Sequence, residues 1–177
     1  MLIEDGSGKN PIVATTADAE LKVQARIITQ MGVMSMLKSA AFSWYSAYAA
    51  TAGQYVISIK NTDPTKKLVI ANMSLGANGV GLFTVEKVTA GTPAGTSIVA
   101  TNLKLSSGLL ASATAFGNAS VTGITGSSII CGHYVPSSSQ IYHDTEDAVI
   151  LQTNDTIAIK ISTSVTVAVA VHGYYID

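Results

Sequence analysis

The sequence predicts an all-β fold: an antiparallel β-sandwich or jelly roll, preceded by an extended N-terminal arm. Three observations predict it. Small and β-branched residues, which suit pleated sheets, supply most of the 47% hydrophobic content. Short segments of alternating hydrophobicity recur along the chain, and turn-forming residues separate them. No amphipathic helix longer than about two turns is visible, nor is any repeat of fixed period.

A chain of 177 residues suits one domain of ordinary size with a complete hydrophobic core. We assign residues 1–39 to an N-terminal arm and linker, and residues 40–177 to the sandwich body. Turn formers at residues 5–8 open the arm, and a period-two segment follows at residues 21–28, typical of a half-buried strand or of an arm laid along a neighbouring subunit. A methionine-rich segment at residues 31–39 is interpreted as a packed linker, with a short helical turn as the alternative.

The body is predicted to contain nine or ten short strands. The last one is the clearest, because Val165, Val167, Val169 and Val171 alternate with Thr166, Ala168, Ala170 and His172. Residues 61–65, 76–79, 90–95 and 153–155 are predicted turns or loops. The predicted strands span residues 42–48, 54–60, 67–75, 82–88, 96–103, 128–135, 148–152, 156–162 and 165–175, with residues 106–117 ambiguous and residues 121–124 weak.

The charge content narrows the range of partners. Only 12% of residues are charged, against about 25% in typical soluble domains, so we expect a homo-oligomer that covers weakly polar surface. The net charge of −1 includes no cationic stripe, so nucleic-acid binding is not expected. Residues 105–143 contain no Asp, Glu, Lys or Arg, yet Ser, Thr, Gly and Asn interrupt them, so no membrane span is expected. This stretch is interpreted as loops and short strands, either packed or at an interface.

Candidate chemical groups are few, and the chain is not expected to be an enzyme. Cys131 and His133 lie two positions apart, on one side of a strand, and form a weak alternative site as two metal ligands or as a Cys–His couple. The local sequence offers no third group, so a buried cysteine beside a surface histidine is favoured. The acidic run at residues 143–147 lacks the spacing of a Ca²⁺ loop and is predicted to be an exposed loop. No catalytic residue, cofactor or metal is therefore expected.

The aromatic residues admit two interpretations. Tyr134, Tyr142, Tyr174 and Tyr175 could form a platform for a sugar, but packing in the core or at a subunit interface is favoured. The lone cysteine excludes an intrachain disulfide and agrees with a reducing cytoplasm. The N-terminus is acidic and lacks an apolar run, so it is not interpreted as a secretory signal.

Several segments resemble a group of tailed-phage virion proteins, in which a Glu-Asp-Gly opening precedes an extended arm and a β-sandwich. The similar segments are residues 3–9, 19–23, 55–62, 68–70 and 150–160. The resemblance implies a virion structural protein, above all a capsid decoration (cement) protein that oligomerises, with a trimer favoured, and that binds the major capsid protein or another virion protein. Such a protein would reside in the virion after assembly in the host cytoplasm. A neck, tail or fibre component, including a carbohydrate-binding jelly roll, is the alternative. The candidate attachment residues are Ile3, Glu4, Asp5, Leu21, Val23 and Ile27.

Overall fold

The structure, a computed structural model, describes residues 40–177 apart from the side chains of residues 146–148. The predictions for the arm and linker, including the attachment residues, lie outside the described residues. The described part is all-β, as predicted, and contains eleven strands. They are β1 (Ala41–Ala50), β2 (Tyr55–Asn61), β3 (Lys67–Ala77), β4 (Gly81–Ala94), β5 (Ser97–Ile98), β6 (Thr101–Asn102), β7 (Ala113–Phe116), β8 (Thr122–Val135), β9 (Ser139–Leu151), β10 (Thr156–Ile161) and β11 (Val165–Ile176).

The strands form two antiparallel sheets that pack as a sandwich. One sheet has the order β6-β1-β11-β3-β9, and the other has the order β5-β7-β2-β10-β4-β8. The first and second halves of the chain pair with each other as β1–β11, β2–β10, β3–β9 and β4–β8, and successive strands alternate between sheets from β1 to β4 and from β8 to β11. A long antiparallel ribbon wound in this way is a jelly roll. The short strands β5, β6 and β7 belong to the excursion between β4 and β8.

The core lies between the inner faces of the two sheets, where period-two alternation places the apolar side chains. In the six-stranded sheet, Ile159 lies opposite Ile57 on one side and Val85 on the other. In the five-stranded sheet, Val171 lies between Trp44 and Met73. All six side chains are buried. The predicted alternation of β11 is confirmed, because Val167, Val169 and Val171 point into this core.

A bulge in β3 overturns its predicted faces. The sequence places Leu68, Ile70, Asn72 and Ser74 on one face, but the pairing with β9 shifts between Ile70 and Asn72. After the shift, Met73 and Leu75 join Leu68 and Ile70 in the main core. The Thr145 hydroxyl donates to the carbonyl groups of Ile70 and Ala71 at this point, which stabilises the bulged backbone.

The predicted loop at residues 90–95 is wrong, because β4 continues through Ala94 and pairs with β8. Gly91 and Gly123 have φ values of 89° and 78°. A Cβ atom on Gly91 would lie 2.1 Å from the Gly123 carbonyl oxygen, and one on Gly123 would lie 2.1 Å from the Thr92 carbonyl oxygen. The turn-forming glycines therefore make bulges in a paired ribbon and do not form a loop.

Three further boundaries differ from the prediction. The segment at residues 96–103 contains two short strands, β5 and β6, in different sheets. The weak segment at residues 121–124 joins the next one to form the continuous strand β8. The acidic run at residues 143–147 is part of β9 and not a loop, because β3 pairs with β9 on both sides of it. Residues 40–177 contain no helix with the length and apolarity that a membrane crossing requires.

Candidate functional site

The charge-free stretch, residues 105–143, lies mainly on the surface. It supplies β7, β8 and the first part of β9. Its buried residues are Ala115, Gly117, Val121 and Val135, and all its others are at least partly exposed. Leu105 and Leu110 are 86% and 78% exposed. The stretch is therefore not core, and a large part of the described surface carries no charge.

Strand β8 is an uncharged edge. Among the described strands it pairs with β4 alone, so its other edge leaves backbone groups unpaired by a strand. It contains no charged residue and no proline, which are two of the devices that protect edge strands from pairing with another chain. Ile129 and Tyr134 on β8 are 68% and 63% exposed, and Tyr134 lies opposite the exposed Leu82 of β4.

The outer face of the five-stranded sheet contains a second surface of aromatic and small residues, with Asp144 beside Tyr142. Tyr45, Ala170, Ser74 and Tyr142 lie side by side across β1, β11, β3 and β9. The two tyrosines are more than half exposed, and Tyr45 lines a shallow trough of about 700 Å³ over small residues that include Ser74 and Ala170. Trp44 is not part of this surface, because its side chain is 1% exposed and packs in the core.

The other two tyrosines named in the sequence analysis are buried. Tyr174 packs with Ala41, Val69 and Ala71 on the outside of the five-stranded sheet, whereas Tyr175 reaches the main core. The favoured interpretation is packing in the core or at a subunit interface, and core packing holds for these two residues. Tyr134 and Tyr142 are exposed, so packing at a subunit interface stays a prediction for them.

Cys131, His133 and His143 meet at an open edge of the sandwich. Strands β8 and β9 belong to different sheets and are joined by the short connection at residues 136–138. Cys131 and His133 lie opposite the buried Val85 and Phe83 of β4, so both point inward from β8. His143 points inward from β9. One ligand atom from each of the three side chains lies within 4.8 Å of the other two, and the imidazole centroids are 4.2 Å apart.

His143 was not predicted as a third group, because it lies outside the local sequence around Cys131. A topological clue existed: Cys131 and His143 lie equally far along the chain from residue 137, within the connection between β8 and β9. Cys131 and His133 are both half-buried, so the favoured picture of a buried cysteine beside a surface histidine is wrong.

Burial favours the uncharged forms of Cys131 and His133. Burial raises the pKa of the Cys131 thiol. Burial, and then the neighbouring His143, lower the pKa of His133. The His133 Nε2 atom is buried and has no hydrogen-bond partner in the described part of the chain. A raised thiol pKa argues against a thiolate nucleophile, whereas a neutral imidazole at His133 presents a lone pair that a metal ion can bind.

The buried carboxylate of Glu86 is held by a separate network. It accepts hydrogen bonds from the hydroxyl groups of Tyr55 at 2.9 Å, Ser127 at 2.5 Å and Thr84 at 2.7 Å. Burial raises the pKa of Glu86, but these hydrogen bonds and the Lys160 charge outweigh it, so the pKa is lowered overall. A fully satisfied carboxylate with a lowered pKa is suited to joining β2, β4 and β8, and not to proton transfer.

Comparison of this chain with protein-family models, with curated proteins and with solved structures finds no match.

Proposed function

We propose that this chain is a non-enzymatic structural protein of a tailed-phage virion, a decoration protein that oligomerises and attaches to the particle through its N-terminal arm. The observation that carries the self-association is the surface position of the charge-free stretch. The assignment to a virion rests on the resemblance of residues 3–9, 19–23, 55–62, 68–70 and 150–160 to tailed-phage virion proteins.

The surface chemistry suits contact with protein. Large exposed apolar side chains favour association, because their burial removes apolar area from water at roughly 25 cal/mol per Å². Ile129 and Tyr134 lie on β8, whereas Leu105 and Leu110 lie in the segment between β6 and β7, and all four belong to the charge-free stretch. The open edge of β8 offers a second mode of association, since another copy can extend the six-stranded sheet through backbone hydrogen bonds. Formation of a homo-oligomer would bury the exposed apolar side chains and pair the open edge of β8. A trimer is the oligomeric state to test first.

The structural role is also supported by how the titratable groups are used. The Glu86 carboxylate accepts hydrogen bonds from three hydroxyl groups. Asp63 accepts from the backbone N–H groups of Thr65 and Lys66 in the turn after β2. Asp155 pairs with Lys87 at 3.3 Å. Each of these carboxylates stabilises a local structure and none converges with another on a common cleft, whereas hydrolysis by paired carboxylates requires such convergence.

Adding charge to β8 is expected to weaken self-association. We expect the double substitution Ile129→Lys/Tyr134→Lys to raise the dissociation constant of the oligomer at least about a hundredfold, because each ammonium group loses its hydration when the surface is covered. Both side chains are exposed in the single chain, so its fold is expected to be retained. Sedimentation velocity over a range of concentrations measures the effect.

The matched control is Thr51→Lys/Ala52→Lys, which adds the same charge to exposed residues in the turn between β1 and β2. This variant is expected to sediment like the wild type. A monomeric wild type, or equal weakening by both double variants, would contradict the proposed surface.

The arm is expected to be dispensable for folding and necessary for attachment. The main core draws its residues from β1 through β11, so deletion of residues 1–30 is expected to leave the sandwich folded. We expect the truncated chain to be lost from particles assembled in its presence, measured as copies per purified particle by quantitative mass spectrometry.

Full-length protein supplies the reference in the same measurement. A copy number near that of the major capsid protein would support a decoration role. A far lower copy number would instead indicate a component of the neck, tail or fibre. Full occupancy by the truncated chain would show that the arm is not the anchor. Absence of the full-length chain from particles would overturn the virion assignment.

Carbohydrate binding is the second candidate, favoured by the trough beside Tyr45. Aromatic faces with nearby amide and hydroxyl groups are the usual lining of a sugar site, and Gln140 and Ser74 lie in this trough. Binding on a glycan array that is lost in Tyr45→Ala would support this function. An array without hits for the intact oligomer would contradict it.

A further inference from the structure

We propose that Cys131, His133 and His143 form a transition-metal site, with Zn²⁺ as the preferred ion, which links β8 to β9 across the open edge of the sandwich. This proposal goes beyond the assembly role and does not depend on it. It also replaces the expectation from sequence that no metal binds, because the third ligand lacking near Cys131 is supplied by His143.

The donor set selects the class of ion. One thiolate sulfur and two imidazole nitrogens are borderline-soft ligands that suit Zn²⁺ and copper ions, whereas Ca²⁺ and Mg²⁺ require oxygen ligands. Zn²⁺ is the first choice because it accepts three protein ligands and completes a tetrahedron with water. The three residues are half-buried at an edge of the sandwich, so solvent can supply the fourth ligand.

The geometry needs little adjustment. Two ligands of one tetrahedral Zn²⁺ ion, with bonds of about 2.0–2.3 Å, lie about 3.3–3.8 Å apart. The ligand atoms here lie within 4.8 Å of one another. Side-chain rotations that move these atoms by about 1 Å would bring them to the spacing of ligands around one Zn²⁺ ion. Cys131 and His133 pair with Val85 and Phe83 of β4, and His143 pairs with Met73 of β3; the register of β8 shifts directly beyond Cys131, and that of β9 shifts beyond Asp144.

The buried nitrogen of His133 gives the independent reason to expect a ligand. Its Nε2 atom is shielded from water and has no hydrogen-bond partner among the described residues. An unsatisfied buried polar atom is unfavourable, and native structures rarely keep one without a purpose. Coordination to a metal ion satisfies this nitrogen, and so explains why an imidazole lies where an apolar side chain would pack with Val85 and Phe83.

The ion would form a link that the hydrogen-bonded sheets do not provide. Strand β8 pairs with β4, and β9 pairs with β3. The chain connection at residues 136–138 holds the two edges together only at one end. Binding by the folded state alone stabilises that state by mass action. On binding, the Cys131 thiol releases its proton to solvent, so binding strengthens as the pH rises.

Titration with Co²⁺ tests the site directly. The full chain, purified without a metal-affinity tag and dialysed against EDTA, is titrated with Co²⁺ and then with Zn²⁺. We expect a thiolate-to-cobalt charge-transfer band in the near ultraviolet, visible bands with tetrahedral intensity, saturation at one equivalent, and displacement by Zn²⁺. Zn²⁺ is also expected to raise the midpoint of thermal unfolding.

Three variants locate the ligands. Cys131→Ser is expected to abolish the charge-transfer band. His143→Gln is expected to weaken binding by more than about tenfold, since loss of even an outer-shell partner has an effect of that size. His172→Gln is the matched control, because this histidine of β11 lies outside the cluster, and it is expected to bind like the wild type.

The outcomes separate the proposal from a packing role of these residues. Each variant is first compared with the wild type by thermal unfolding in EDTA, so that a folding defect is distinguished from loss of a ligand. A wild-type chain without the charge-transfer band would overturn the site. Equal weakening by His172→Gln and His143→Gln would also overturn it, because the bound ion would then lie elsewhere.

Discussion

Replacing Trp44 with alanine is expected to lower the free energy of unfolding of the sandwich by about 3–5 kcal/mol. The side chain is 1% exposed and lies in the main core. Its ring centroid is 6.3 Å from that of Phe42, and Val171 is its neighbour on β11. Removing the indole leaves a cavity that two hydrogen-bonded sheets cannot collapse to fill. Denaturant unfolding followed by far-ultraviolet circular dichroism measures the loss.

Tyr45→Ala is the matched control for this prediction. Tyr45 is the next residue of the same strand, but it points to the outer face and is 57% exposed. Its substitution is expected to change the free energy of unfolding by about 0.5 kcal/mol or less. Both variants are compared at one protein concentration, because self-association contributes to the apparent stability. Equal losses in the two variants would contradict the placement of Trp44 in the core.

This contrast between two neighbouring residues shows which part of the fold the sequence could predict. Period-two alternation depends on the pleat of a single strand, and so β11 and the all-β class could be predicted locally. The bulge after Ile70 could not, because it depends on β9, which lies far along the chain. Gly91 and Gly123 are similar: each is a typical turn former alone, and only their juxtaposition makes them a bulged pair.

The candidate metal site likewise has one part that the sequence could predict and one part that it could not. The spacing of Cys131 and His133 could be recognised within one strand, because residues two apart share a face. The contribution of His143 depends on the chain passing from one sheet to the other at residues 136–138, so that two edge strands present their inner faces to each other. The charge-free stretch was equally visible in the sequence. The surface position of this stretch depends on β8 being an edge strand. Whether a strand lies at an edge is determined by its pairing with other strands, and not by its own sequence.

The second large effect is expected at Glu86. Glu86→Gln keeps the size of the side chain but removes the charge that accepts hydrogen bonds from Tyr55, Ser127 and Thr84. Hydrogen bonds to charged groups contribute about 1.5–3 kcal/mol, so we expect a loss of that order in the free energy of unfolding near neutral pH. Denaturant unfolding of both proteins as a function of pH measures it.

The pH dependence of this loss follows from the lowered pKa of Glu86. Burial alone raises this pKa, but the three hydroxyl donors and Lys160 lower it below its ordinary value of 4.5. The folded state therefore binds the proton less readily than the unfolded state. The stabilisation is fully present above the ordinary value and is lost as the pH falls through the folded pKa. The difference between wild type and Glu86→Gln should accordingly shrink in acid.

Asp63→Asn separates this effect from general acid denaturation. Backbone hydrogen bonds from Thr65 and Lys66 lower the pKa of Asp63 as well, so it adds to the pH dependence in the same direction. It lies in the turn after β2, away from the network around Glu86, so the two substitutions are expected to act additively. If the difference between wild type and Glu86→Gln stays constant as the medium is acidified, the ionised carboxylate is not what holds β2, β4 and β8 together. A difference that closes in acid, with Asp63→Asn leaving that closure intact, identifies Glu86 as the buried charge on which the six-stranded sheet depends.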